Sequence, residues 1–201
     1  MRADRETPAF LYLASASPRR SELLRQLGVE IRVTPAEVDE AIRPGEAADA
    51  YVTRLALEKS RAALRTLEAA DAPVLAADTA VVVDDLILGK PRDAADAARM
   101  LNLLSGRGHE VLTSVAVCDP ARESVVVNRT DVWFRSLEPD EIAAYWHSGE
   151  PAGKAGSYAI QGMGAIFIEE IRGSYSGVMG LPLFETARLL RDFGYRLLPP
   201  F

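Results

Sequence analysis

The sequence predicts an α/β fold in which a mixed β-sheet is flanked by helices. Two observations carry this reading. Apolar strand-like runs alternate with helical segments through the first half of the chain, and runs joined by short turns follow in the second half. At 201 residues, 48% of them hydrophobic, the chain suits one domain spanning 1–201 with a sizeable core.

The elements follow in order. Phe10 to Leu13 reads as a short buried strand, and Pro18 then takes the first position of a helix with Ser17 as its N-cap. Leu23, Leu24 and Leu27 give that helix an apolar stripe, and Gly28 ends it. Ile31 to Val33 is a second strand, leading through the acidic loop Glu37, Asp39, Glu40 to the turn Arg43-Pro44-Gly45. A long helix is predicted from about Glu46 to Ala70. It places Arg54, Glu58, Arg61, Arg65 and Glu68 on a solvated face and Val52, Ala56 and Ala63 on the buried one. Val74 to Val83 is strand-forming but interrupted by Asp78-Thr79-Ala80, and Asp84-Asp85 turns it back into Leu86-Ile87-Leu88. Asp93 caps a helix that runs through Met100 to Leu104 and closes at Ser105-Gly106. Val111 to Val117 and Ser124 to Phe134 form an antiparallel pair around Asp119-Pro120-Ala121-Arg122. Pro139 opens a helix ending at Gly149. After it come a glycine-rich loop to Gly164, a strand Ala165 to Ile171, a loop Gly173 to Gly180, and a last helix from Pro182 to Gly194.

Composition narrows the function. A net charge of −6 argues against a general nucleic-acid binder, whose affinity needs a basic surface. The single cysteine, Cys118, excludes an internal disulfide and fits a reducing compartment. The polar N-terminus lacks the apolar core of a signal peptide, and no apolar run reaches membrane-spanning length, so a soluble cytoplasmic protein without a membrane partner is expected.

Several residues sit where packing alone does not want them. Arg19 and Arg20 occupy the first turn of a helix, whose dipole disfavours cations. With Ser15, Ser17 and the free N–H groups of the helix start, they would be stabilised by a phosphate. Lys59 falls on the apolar face of the long helix. It either snorkels past the edge of the core or faces an anion. Asp78 adjoins a strand buried on both faces and so caps a turn, binds a metal or serves as a general base. Gly89-Lys90-Pro91 places a lysine directly after an apolar strand, and no P-loop or Gly-x-Gly-x-x-Gly pattern is present. Glu37, Asp39 and Glu40 form either a solvated acidic loop or a source of hard oxygen ligands. His109 and His147 are isolated, and no zinc spacing occurs. In Lys154-Ala-Gly-Ser-Tyr-Ala-Ile-Gln-Gly162 the small residues allow backbone to approach a ligand, and Gln161 offers a donor and an acceptor to a base edge.

Taken together, Ser15-Ala-Ser-Pro-Arg-Arg20, Ala77-Asp-Thr79, Gly89-Lys-Pro91, Lys154 to Gly162 and Gly180-Leu-Pro-Leu183 resemble the motifs of the Maf family of nucleoside triphosphate pyrophosphatases, in the family's order. The resemblance runs from about Leu11 to Gly194. It implies a fold of the Maf and inosine-triphosphatase type, with two lobes around a cleft. It also implies hydrolysis of a nucleoside triphosphate to the monophosphate and pyrophosphate with a divalent cation, Mg²⁺ or Mn²⁺. By the same resemblance Asp78 is the proton acceptor and a metal-side carboxylate, and Glu40 the second acidic position near the metal. Ser15, Arg20, Lys59 and Lys90 are phosphate-binding. Arg19, Thr79 and Gln161 match the dTTP/UTP branch, where the 7-methyl-GTP branch carries Trp, Gln and Glu. The expected partner is the nucleoside triphosphate, and the resemblance is compatible with a homodimer. Two alternatives stay open: the same reaction on a modified purine nucleotide, and a nucleotide-binding regulator of division or septum formation without turnover. The chain departs from the family pattern at Gly153, where an acidic residue is frequent, and at Asp85, where a hairpin glycine is usual.

Overall fold

A computed structural model describes residues 8–197. Residues 1–7 and 198–201, and with them most of the polar N-terminal segment, lie outside the described residues. Strand β1 (Leu11–Leu13) lies between β2 (Ile31–Val33) and β3 (Val74–Val83), parallel to both. The connection from β1 to β2 is helix α1 (Pro18–Gln26), and that from β2 to β3 is α2 (Ala48–Thr66). Alternation along β3 sends the two helices to opposite faces. Leu75 and Ala77 pack with Leu23 and Leu24 of α1, whereas Val74 and Ala76 pack with Ala63 of α2, and Ala80 and Val82 with Val52.

The chain then turns at Asp84 and Asp85, both left-handed with φ of 48° and 62°, into the short antiparallel β4 (Leu86–Leu88). Two left-handed residues are what a two-residue hairpin needs, so Asp85 takes the conformation that glycine would otherwise supply. Helix α3 (Ala94–Leu104) starts on Asp93, whose carboxylate accepts from Asp96 N–H at 2.8 Å. β5 (Gly108–Cys118) and β6 (Glu123–Phe134) form a long antiparallel pair. Helix α4 (Pro139–His147), β7 (Ile168–Arg172), the single turn α5 (Tyr175–Val178) and α6 (Leu183–Asp192) complete the chain. The sheet runs β2-β1-β3-β5-β6-β7, with β4 on β3, so it is mixed and flanked by helices as predicted.

Two apolar clusters share the α1 side of the sheet. One joins Leu75, Ala77, Val115 and Val117 to α1 and α6, and the other joins Val81, Val83, Val111 and Phe134 to α3, α4 and Phe167. Between them stand Thr79 and Thr113, directly paired across β3 and β5. This polar break separates two lobes.

Several local expectations are corrected. The strand through Asp78-Thr79-Ala80 is continuous, because β5 pairs with every residue from Val74 to Val82 and propensity yields to the ladder. Helix α2 stops at Thr66, short of Ala70, and starts two residues after Glu46, at Ala48. Ser17 holds the N-cap position of α1, but its side chain does not cap. Arg54 is not solvated: its side chain is 11% exposed and turned into the acidic loop. The last strand begins at Ile168, after a 3₁₀ segment Met163–Phe167, and the loop from Gly173 to Gly180 contains α5. No helix among the described residues is long and apolar enough to cross a membrane.

Candidate active site

β1 is the switch point of the sheet: its connection forward goes to one neighbour and the connection back goes to the other, on opposite faces. Open α/β sheets bind ligands in the crevice outside the carboxyl end of such a strand. Here that end is Ala14-Ser15-Ala16-Ser17. β3 outruns β1, and β4 rejoins its edge only at Val81, so among the described residues no strand covers that edge between Ala76 and Ala80. A cleft of about 850 Å³ opens over this gap. Ser15, Arg19, Arg20, Glu40, Lys59, Asp78, Thr79, Lys90 and Gln161 all line it.

The pleat divides their roles. Asp78 points to the α2 face and Thr79 to the α1 face, so one dipeptide serves both sides of the cleft. On the α2 side, Lys59 Nζ lies 2.7 Å from Asp78 Oδ1 and 2.5 Å from Glu40 Oε1. Lys90 Nζ reaches Glu40 Oε2 at 3.4 Å from the mouth of the cleft, where its side chain is 62% exposed. Lys59 therefore does not snorkel to solvent. It bridges two carboxylates that would otherwise repel. Burial pushes the Glu40 pKa upward, but the hydrogen bond and charge of Lys59 and the charge of Lys90 outweigh it and hold Glu40 below its ordinary value.

On the α1 side, Arg20 donates from Nε to Gly180 O at 2.9 Å, from Nη1 to Ser15 Oγ at 3.2 Å and from Nη2 to Thr79 Oγ1 at 3.3 Å. Thr113 donates to Gly177 O at 2.8 Å, so Thr79 donates across the 2.9 Å contact to Thr113 and its lone pair is left for Arg20. Ser15 Oγ also accepts from Ser17 N–H at 3.2 Å, which leaves the Ser15 proton free. Arg19 donates to Met179 O at 3.4 Å. Burial lowers the pKa of both arginines; for Arg20 the charge of Asp78 opposes this and that of Arg19 adds to it. Two partly desolvated guanidiniums at the positive end of α1, with no acidic residue in its first turn, are an arrangement that an anion would stabilise.

A family model described as Maf-like protein matches residues 10–193. The chain belongs to the Maf family. Its curated relatives include dTTP/UTP pyrophosphatases of Chromobacterium violaceum, 53% identical over 93% of this chain and 96% of the relative, and of Aromatoleum aromaticum, 53% identical over 94% and 98%. The dTTP/UTP pyrophosphatase of Photobacterium profundum is 53% identical over 91% and 96%. Among solved structures, the Ham1 protein of Staphylococcus aureus aligns over 62% of this chain and 71% of its own at 16% identity, with a TM-score of 0.45.

This Maf chain also shows residues that the sequence did not single out. Thr113 carried no signal beyond lying in a strand; only the register with Thr79 puts it at the cleft. Tyr51 lines the cleft and donates to Glu40 O at 3.1 Å, and burial with the charges of Asp78 and Glu40 pushes its pKa up to about 12. Arg54 donates to Asp39 O at 3.4 Å and Ala41 O at 3.0 Å while paired with Glu46 at 2.6 Å. Tyr51 and Arg54 thus hold three successive carbonyls of the acidic loop. Their own i,i+3 spacing along α2 was the available signal. Lys154 lines the cleft too, and burial followed by the charge of Arg19 lowers its pKa.

Proposed function

We propose that this protein is a nucleoside triphosphate pyrophosphatase acting on dTTP and UTP, releasing the nucleoside monophosphate and pyrophosphate. The observation that carries the reading is the cleft itself: a positive helix end with two arginines faces a lysine-bridged pair of carboxylates across the switch point of the sheet. Relatives covering over nine-tenths of the chain are named for that activity. Arg19, Thr79 and Gln161 at the cleft support the pyrimidine branch.

In this mechanism water attacks the α-phosphorus in line, the bond to the bridging oxygen breaks, and pyrophosphate departs with its electron pair. Lys59 holds Asp78 Oδ1, which leaves Oδ2 to orient the water and accept its proton. Arg20, Lys59, Lys90, Ser15 and the N–H groups of α1 neutralise the triphosphate and the leaving group. Glu40 and Asp78 share one ammonium and are therefore neighbours, and no larger cluster of metal-binding side chains occurs among the described residues. That donor set suits Mg²⁺ or Mn²⁺, which take one or two carboxylates and complete their shell with phosphate oxygens and water. Held by Glu40 and Asp78, the cation would supply charge neutralisation on the phosphates. The acidic net charge and the lone buried Cys118 support a cytoplasmic enzyme with a small anionic substrate and no nucleic-acid or membrane partner.

The test is a panel of triphosphates assayed for pyrophosphate release with Mg²⁺ or Mn²⁺, products identified, and repeated after chelation. UTP and dTTP are expected to give UMP and dTMP, and the chelated protein to be inactive. A preference for 7-methyl-GTP would overturn the base assignment. Binding of UTP without formation of UMP would make the protein a nucleotide-responsive regulator instead.

A further inference from the structure

Gln161 is exposed, and among the described residues its side chain makes no hydrogen bond, so nothing but the backbone of its loop aims it. That backbone is held by one carboxylate. Glu150 accepts from Met163 N–H at 2.9 Å on Oε2, and from Gly164 N–H at 3.0 Å and Tyr145 O–H at 2.6 Å on Oε1. The Tyr145 hydroxyl in turn accepts from Ala159 N–H at 3.1 Å. Both ends of the segment carrying Gln161 are thus tied to the Tyr145–Glu150 pair. The fit leaves no slack: a Cβ on Gly162 would stand 2.1 Å from Glu150 Oε2, and one on Gly164 would stand 2.6 Å from the Tyr145 hydroxyl. Burial pushes the Glu150 pKa upward, but the Tyr145 hydroxyl, the two backbone donors and the charge of Lys154 hold it below its ordinary value, so the anchor is ionised at neutral pH.

We propose that Glu150, braced by Tyr145, is a positioning residue for base selection that acts only through the placement of Gln161. This rests on the reading of Gln161 as the residue that meets the pyrimidine edge. Glu150 itself does not line the cleft and touches neither the phosphate-binding groups nor Asp78. Charge-assisted bonds to backbone donors are the strong kind, and glutamine would turn an amide donor toward at least one of those N–H groups.

The experiment is a double-mutant cycle on the full chain, with kcat and KM measured for UTP, CTP and GTP in wild type, Glu150→Gln, Gln161→Ala and the double variant. Glu150→Gln is expected to raise KM for UTP and compress the preference for UTP about tenfold, with kcat changed less than about twofold. In the Gln161→Ala background it should add nothing to the loss of selectivity. Additive losses, or a fall in kcat with selectivity intact, overturn the proposal. If Gln161→Ala itself leaves selectivity unchanged, the base-reading role of Gln161 fails and the proposal fails with it. Should Glu150→Gln not fold, Tyr145→Phe, which removes one brace and leaves the carboxylate, carries the same cycle.

Discussion

A single side chain, Lys59, ties together the two carboxylates of the cleft. On the apolar face of its helix it read more readily as a snorkelling lysine, because nothing in the chain says what stands opposite. Its ammonium lies within 2.7 Å of both Glu40 and Asp78, and the ambiguity resolves into a bridge between two carboxylates. On the proposed mechanism, Asp78 is the group whose removal isolates the chemistry from binding. Asp78→Asn preserves size and one acceptor but cannot take a proton. Its kcat should fall by roughly 10²–10⁴, with UTP still bound in a calorimetric titration. Turnover near the wild-type value would remove Asp78 from the role of base.

At the scale of elements, helix α2 does two jobs. It presents Lys59 to the cleft, and with Tyr51 and Arg54 it clamps the carbonyls of Asp39, Glu40 and Ala41. On the proposed reading of Glu40 as a cation ligand, Arg54→Ala should leave the fold intact yet let Glu40 wander, lowering Mn²⁺ affinity and activity about 10- to 100-fold. Paramagnetic resonance of free Mn²⁺ reads the affinity directly. Arg54→Lys should recover only part of it, since a lysine cannot span two carbonyls and Glu46 at once. This element also marks the limit of what the sequence discloses. Periodicity placed the buried face of α2 correctly, and the two arginines that looked out of place at the start of α1 do line the cleft. Arg54 was misread as solvated because its partners come from a loop without a period. Asp78 to Ala80 was misread as a break because the pairing that carries a strand through polar residues is non-local. Thr113 was silent for the same reason.

For the whole molecule, acid sensitivity comes from a buried imidazole. His109 is buried, with Nε2 2.8 Å from the Tyr158 hydroxyl, and burial lowers its pKa to about 3 from an ordinary 6.5. Between those values the unfolded chain binds a proton that the native chain refuses. Stability is therefore complete above about pH 6.5 and falls as the pH drops through the window, by about 1.4 kcal/mol per unit. Asp96 and Glu141, each held near 2 by arginine partners, add their own losses only below the ordinary carboxylate range. Urea unfolding should show about 2 kcal/mol less stability at pH 5 than at pH 7, and His109→Gln should flatten that difference. An unchanged slope in the variant would place the acid sensitivity elsewhere.

The interval between β1 and β4 along the edge of β3 has a kinetic signature as well. Ladder alternation turns the N–H groups of Ala76 and Asp78 toward β5 and those of Ala77 and Thr79 toward the uncovered edge. In native-state hydrogen exchange the middle of β3 should therefore read as slow, fast, slow, fast, an every-other-residue leak in the best-protected strand of the sheet. The fast amides would report when a ligand arrives without any label, substrate analogue or turnover.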